Sequence, residues 1–254
     1  MHPILFELGP LTVPTYGVLV ASGYLAGILW LKNRLAELGL TEDQFWSVIY
    51  HLFFGAVLGG KLLYILVEYR DFAAGRLGLL RDFRYGFVFF GGFAGAALAV
   101  AAACRRKGLD FRRVADPLAT ALPLGHSIGR LGCLASGCCY GKPTALPWGL
   151  ALGGPPATPL HPSQLYESAA NLGLFFFLGY RALPNVTEGK WARGTVVLAY
   201  AGLYSCARFL IEFSRGDDRG VWWGLSTSQW LALGFAAAAL LGLRSRRTSI
   251  EIHR

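Results

Sequence analysis

The sequence predicts an all-α, polytopic integral membrane protein: about seven transmembrane helices with a small outward-facing head. Three observations predict it. Of the 254 residues, 54% are hydrophobic and only 15% are charged, too little charge to cover a soluble domain of this size. Apolar runs recur near the roughly 17–25 residues that span a bilayer. One stretch, residues 135–163, is long, non-hydrophobic and rich in Gly and Pro ("GKPTALPWG", "LGGPPATPLHP"). The length allows one or two domains. The reading is a single transmembrane domain over 1–254, with 135–163 inserted as an outside loop, of a length that is usually functional in a compact protein.

In order, the spans fall at 14–31, 45–67, 86–104, 114–134, 164–181, 194–213 and 226–243. The third, fourth and seventh are the clearest by hydropathy; the fifth and sixth are shorter and more polar. Lys32 and Arg34 follow the first span, Arg105-Arg106-Lys107 the third, and Arg244, Arg246 and Arg247 the seventh. The pairs Gly55/Gly59, Gly91/Gly95 and Gly125/Gly129 have the small-residue spacing that lets helices approach closely in lipid. Gly is also simply common in membrane helices. No repeat of the kind that marks the inverted halves of a transporter is present.

Orientation follows from the basic residues. An outside N-terminus leaves four regions inside: Lys32/Arg34; Arg105, Arg106, Lys107, Arg112 and Arg113; Arg181/Lys190/Arg193; and the tail with Arg244, Arg246, Arg247 and Arg254. They hold more than half of the 24 Lys and Arg residues, as the positive-inside rule asks. Arg70, Arg76, Arg81 and Arg84 in the first outside loop run against it. The net charge of +9 is therefore read as helix flanks; no basic stripe points to nucleic acid. "MHPILFELGP" has no basic n-region and no cleavage pattern, so no removable signal peptide is expected. Lys61, Arg130, Lys142, Arg208, Arg215 and Arg219 remain, in helices or at their outer ends, where a charge needs a reason.

Arg130 and Arg208 interrupt the segments "LGHSIGRLGCL" and "YAGLYSCARFLIEF". An arginine there faces the bundle interior and pairs with something anionic. Glu212 follows Arg208 by four residues, so an ordinary intrahelical pair is one reading. Arg215, Asp217, Asp218 and Arg219 come next. Arg130 has no acidic residue within helical reach, Asp116 being almost four turns away. A ligand anion such as phosphate would satisfy its fork of donors, and an outward-facing basic pocket at membrane level suits a phospholipid head group. Tyr16, Tyr204, Gln164 and Tyr166 fall near the same level, where an aromatic-belt or packing role is, for each taken singly, the commoner one.

Cys133, Cys138 and Cys139 lack paired C-x-x-C spacing, so no metal is expected. A disulfide or small-residue packing fits better outside the membrane. A vicinal Cys138–Cys139 bond is strained, which favours a bond from either to Cys133. Cys104 and Cys206 read as core residues. His126 lies one turn before Arg130, and His161 opens "HPSQLYE" where the chain re-enters the membrane. Either is a candidate general base.

Together "GRLGCLASGCCYGKPT", "LHPSQLYES" and "RFLIEFSRGDD" resemble the prolipoprotein diacylglyceryl transferase family. "PTYGVLVASG", "GAVLGGKLLY", "FVFFGGFAG" and "STSQWLAL" extend the resemblance, in the same order, over nearly the whole chain. It implies a seven-helix enzyme of the bacterial inner membrane, N-terminus periplasmic, C-terminus cytoplasmic and active site towards the periplasm. Such enzymes move the diacylglyceryl group of phosphatidylglycerol onto the lipobox cysteine thiol of a pre-lipoprotein, forming a thioether and releasing glycerol phosphate. No cofactor is implied. By the same resemblance Arg130 would hold the lipid phosphate and Arg208 would help stabilise the leaving group. Tyr16, Tyr204, Glu212, Arg215, Gly129 and Gly141 match other functional positions.

Three positions depart from the family pattern. Phe90 stands where well-known members have a histidine before the third-span Gly-Gly. Cys133 replaces the asparagine after "GR-x-G", and Cys138 a glutamate further on. His126 or His161 is then the expected activator of the incoming thiol. Two alternatives follow: a paralogue on the same fold with a different acceptor, and a non-enzymatic phospholipid-binding or transport protein.

Overall fold

The computed structural model describes residues 2–9, 11–78, 86–151, 158–217 and 220–252, apart from the side chains of residues 11 and 247–252. Arg81, Arg84, Asp218, Arg219 and Arg254, and part of the predicted outside loop, lie outside the described residues.

In chain order the elements are β1 (Ile4–Leu8), β2 (Leu11–Pro14), α1 (Thr15–Lys32), α2 (Leu35–Leu38), α3 (Glu42–Val67), α4 (Tyr69–Ala73), α5 (Phe89–Arg106) and α6 (Phe111–Ala135). Then come α7 (Ser163–Phe177), a π-helical turn (Leu178–Ala182), α8 (Leu183–Thr187), α9 (Thr195–Glu212), β3 (Val221–Trp222), β4 (Leu225–Ser226) and α10 (Thr227–Ile252). Each predicted span falls on a helix, with ends shifted by a few residues except in α10, which runs on to Ile252. The two small antiparallel hairpins, β1–β2 and β3–β4, are not legible from hydropathy.

Among the described residues, three helices are long and apolar enough to cross a membrane: α1, α3 and α9. These are the first, second and sixth predicted spans, not the three that hydropathy made clearest. The reason is polar content within the helices. α5 ends in Arg105-Arg106, α6 carries Arg112, Arg113, Asp116 and Arg130, and α10 opens on Thr227-Ser228-Gln229.

The chain forms two compact units, one of residues 34–114 and one of 1–33 with 115–254. In the first, α3 and α5 are the main packing pair. A Cβ on Gly55 would lie 2.6 Å from the Gly95 carbonyl oxygen, and one on Gly59 would lie 2.3 Å from that of Gly91. Backbone touches backbone there, so both predicted glycine pairs are sites of close helix approach. α3 begins at a capping box: Gln44 N donates to Thr41 Oγ1 (3.3 Å) and Thr41 N to Gln44 Oε1 (3.0 Å), satisfying two otherwise orphan donors. Lys61 is buried in α3, with its ammonium over the rings of Tyr64 and Phe87, 5.2 and 5.3 Å from their centroids. Phe90, in α5, is half exposed and meets Phe89 edge-on.

In the second unit, α1 crosses α6 where a Cβ on Gly23 would lie 2.7 Å from the Gly125 carbonyl oxygen. Gly129, its predicted companion, meets nothing closer than Val20 at 3.9 Å, so only Gly125 is the crossing point. Trp30 Nε1 donates to Thr120 Oγ1 (2.9 Å), and the ring stands edge-on to Phe175 and Tyr180 and against Gly179 of the π-helical turn. Asp116, fully buried, accepts from the backbone N–H groups of Gly194 and Val197. A carboxylate from α6 thus caps α9, where helix N–H groups otherwise lack partners. Asp116 is therefore engaged away from Arg130. α7, α9 and α10 complete the unit, with α9 against both neighbours.

Candidate active site

α6 and α9 end at the level where α7 begins, and four charged groups meet there. Glu167, in the second turn of α7, is buried. Its Oε1 accepts from Arg208 Nη1 (2.7 Å) and Arg215 Nη1 (2.9 Å), and its Oε2 pairs with Arg130 Nη2. One carboxylate therefore gathers three arginines from α6, α9 and the turn after α9. A buried charge persists only when paired and hydrogen-bonded, and here each member supplies the others' counter-charge.

The sequence left Arg130 without an acidic partner because helical reach was the only distance available to it. Glu167 was missed, although it stands in the "HPSQLYES" block. The signal was there: an acidic residue inside a predicted span needs a reason as much as a basic one. The intrahelical reading of Arg208 also holds, since its Nη2 pairs with Glu212 Oε2. Glu212 is buried and also accepts from Ser226 Oγ (2.9 Å). Ser226 is fixed in turn by Gln229: Ser226 N donates to Gln229 Oε1 (2.9 Å) and Gln229 N to Ser226 Oγ (3.2 Å).

The arginines differ in the donors they have left. Arg215 makes a fork to Asp217 (Nε–Oδ1 2.8 Å, Nη2–Oδ2 3.0 Å) besides its bond to Glu167. Arg208 bridges two carboxylates. Arg130 has the Glu167 pair and a weak acceptor, the Cys133 sulfur, 3.8 Å from Nη1. Its Nε is buried and without a hydrogen-bond partner among the described residues. Arg130, Arg208 and Arg215 are balanced in formal charge by Glu167, Glu212 and Asp217. Capacity for an anion thus follows engagement: Arg130 pairs with one carboxylate, whereas Arg208 and Arg215 pair with two each.

His126 and Tyr204 join the cluster. His126 Nε2 lies 3.9 Å from Glu167 Oε2, and its ring stands 5.7 Å from that of Tyr204, which stacks on Tyr200. Tyr204 is within electrostatic reach of Glu167 and all three arginines. Tyr16 is half exposed, lies where a Cβ on Gly132 would come within 3.2 Å of its ring, and is within electrostatic reach of Arg130 and Cys133. The His161 ring is engaged otherwise: its Nδ1 is 3.2 Å from the Tyr166 hydroxyl, which accepts from Trp148 Nε1 (2.8 Å). His161 and Tyr166 therefore brace one another rather than the arginines.

Gly141 holds the outside loop against this cluster. It forms an antiparallel bridge with Arg215, and Lys142 N donates to the Ser214 carbonyl (2.8 Å). A Cβ at 141 would lie 2.3 Å from the Ser214 oxygen and 2.5 Å from His161 Cβ. Only glycine fits that approach.

The end of α6 explains the thiols. Gly137 has φ 70°, Cys138 N donates to the Cys133 carbonyl (3.1 Å) and Gly137 N to that of Leu134 (3.1 Å). This is a Schellman cap, which brings the side chain beyond the glycine onto the one five residues back. Cys139, at φ 62°, turns in as well, and all three sulfurs lie within 4.8 Å of one another. Fully buried Gln164 donates from Nε2 to the Cys138 carbonyl (2.6 Å). The disulfide expected here is absent: all three are free thiols. A hydrogen bond from Cys133 lowers the Cys139 thiol to about 5, against the burial that raises it, with help from Cys138 and Arg215. Burial raises Cys138. Of the other cysteines Cys104 is buried, but Cys206 is exposed. It lies two residues from Arg208, about 200° round the helix, on the face away from the cluster.

Comparison with known proteins fits this arrangement. The family model for prolipoprotein diacylglyceryl transferase matches residues 3–244. The chain belongs to the prolipoprotein diacylglyceryl transferase family. It is 37% identical over 237 residues to the phosphatidylglycerol–prolipoprotein diacylglyceryl transferase of Clostridium tetani, covering 92% of this chain and 93% of that protein. It is 31% identical to phosphatidylglycerol–prolipoprotein diacylglyceryl transferase 2 of Clostridium perfringens, over 95% and 94% of the two chains. The transferase of Geobacter sulfurreducens is 34% identical, over 86% and 84%. In this member the thiols Cys133 and Cys138 border the arginine cluster.

Proposed function

We propose that this protein transfers the diacylglyceryl group of phosphatidylglycerol to the lipobox cysteine of a pre-lipoprotein, at the periplasmic side of the bacterial inner membrane. One observation carries the reading: three arginines share Glu167 in a chain that matches the transferase relatives almost end to end.

The reaction is a substitution at carbon. The lipobox sulfur forms a C–S bond to the glyceryl carbon as its C–O bond to phosphate breaks. Glycerol phosphate leaves with the electron pair, and the thiol proton passes to a base. A thiolate is the competent nucleophile, and negative charge grows on the departing phosphate. Arg130, with free donors, holds the phosphate; Arg208 stabilises the leaving group from its fixed place between Glu167 and Glu212. Glu167 and Arg215 position both. His126 takes the thiol proton, supported by its place beside Glu167 and Tyr204; the His161 ring is held by Tyr166 and has no such role. Tyr16 and Tyr204 border the substrate, while Gln164, Tyr166 and Gly141 shape the site, with Gly129 leaving space beside Arg130.

The test is the purified protein with head-group-labelled and glyceryl-labelled phosphatidylglycerol and a lipobox peptide. Glyceryl label on the peptide cysteine, lost in Arg130→Ala, is the expected result. Release of glycerol phosphate without lipid on the peptide would assign a different acceptor. The absence of both products would point to a non-enzymatic phospholipid-binding role.

A further inference from the structure

We infer that Cys133, Cys138 and Cys139 form a binding site for a single thiophilic d10 cation, Zn2+ or Cu+, at the edge of the arginine cluster. The sequence argued against metal on spacing alone, since C-x4-C-C is not a zinc-knuckle pattern. Spacing rules presume ordinary turns. Here a Schellman cap lays Cys138 over Cys133, and a left-handed Cys139 brings in the third sulfur. A non-glycine residue in that conformation is uncommon and marks a place where the surroundings dictate the backbone.

Geometry fits the ion. With metal–sulfur bonds of about 2.3 Å, three thiolates in trigonal or tetrahedral arrangement stand about 3.8–4.0 Å apart. The three sulfurs here all lie within 4.8 Å of one another, so closure needs movements of side chains rather than of backbone. Soft thiolate sets favour Cu+ and Zn2+ over hard cations. A disulfide would use two of the sulfurs and leave no account of the third.

The surroundings hold the ligands in place. Gln164 fixes the Cys138 carbonyl, Arg130 approaches the Cys133 sulfur, and the Arg215 guanidinium lies beside Cys139. Such partners orient metal ligands. On binding, each thiol releases its proton. Three thiolates around Zn2+ carry one net negative charge, which Arg130 and Arg215 offset. The loaded site would pin the turn that leads into Gly141, and through it Arg215.

The test uses the full chain in detergent micelles, stripped with chelator and kept under a phosphine reductant. Zn2+ is titrated against a chromophoric chelator, and Cu+ is followed by thiolate-to-metal charge-transfer absorption. Binding of a single equivalent of either ion is expected, with the stronger competitor naming the metal. It should be lost in Cys133→Ser, Cys138→Ser and Cys139→Ser and kept in Cys206→Ser. In the unmodified protein, which avoids any folding defect, bound metal should shield these three thiols from N-ethylmaleimide, and its removal by chelator should restore their reaction. Binding of neither ion, binding that survives Cys133→Ser, or unshielded thiols would each overturn the site.

Discussion

Glu167 and Arg215, 48 residues apart, meet through an Oε1–Nη1 contact of 2.9 Å with both side chains almost wholly buried. Because Arg130 and Arg208 lean on the same carboxylate, Glu167 is the hub of the site. Glu167→Gln keeps the shape and removes the charge. Breaking a buried ion pair costs about 3–5 kcal/mol. The variant is expected to unfold at lower temperature and to lose transfer activity, measured by thermal unfolding and lipid-labelling assay. Unchanged unfolding would remove Glu167 from that role.

Arg130 pairs with a single carboxylate, so its planar fork should matter as well as its charge. Arg130→Lys keeps the charge and loses the fork. Transfer is expected to fall about tenfold or more, in line with the ~1.5–3 kcal/mol of a hydrogen bond to a charged group. Retained activity in the lysine variant would mean that a point charge suffices.

The two histidines separate cleanly. A general base contributes about 10²–10⁴-fold, so His126→Ala should lower the rate on that scale and change the pH profile. His161→Ala should affect turnover far less, because its ring is engaged with Tyr166. Near-normal transfer by His126→Ala would end its assignment as base.

Gly141→Ala places a methyl where the Ser214 carbonyl and His161 already stand. Overpacking of this kind costs about 1–3 kcal/mol, and here it pushes on the backbone bridge to Arg215. Lower thermal stability together with reduced transfer is expected. Gly173→Ala, in α7 with nothing within 4 Å of its added Cβ, should be tolerated in the same unfolding measurement.

Asp116 is a stability residue. Asp116→Ala removes the cap from α9 and is expected to destabilise by about 0.5–2 kcal/mol. Transfer per folded molecule should be little changed. A selective loss of activity at normal stability would place Asp116 in the chemistry instead.

The sequence alone located the helices, the Gly55/Gly59 and Gly91/Gly95 contacts, the Arg208–Glu212 pair and the stretch around Arg130. Hydropathy, i,i+4 spacing and small-residue spacing act within one helix or on one face of it, so they are written along the chain. Family resemblance supplied the reaction. Only the tertiary structure decided that Glu167 joins Arg130, Arg208 and Arg215, that Asp116 caps α9, and that His126 rather than His161 stands at the cluster. Those contacts join residues 37 to 81 positions apart. No local periodicity encodes which helix brings which side chain to a shared point. The thiols fall between the two cases. Gly137 already signals a cap that would bring Cys138 onto Cys133, but the left-handed turn at Cys139 depends on the packing around it.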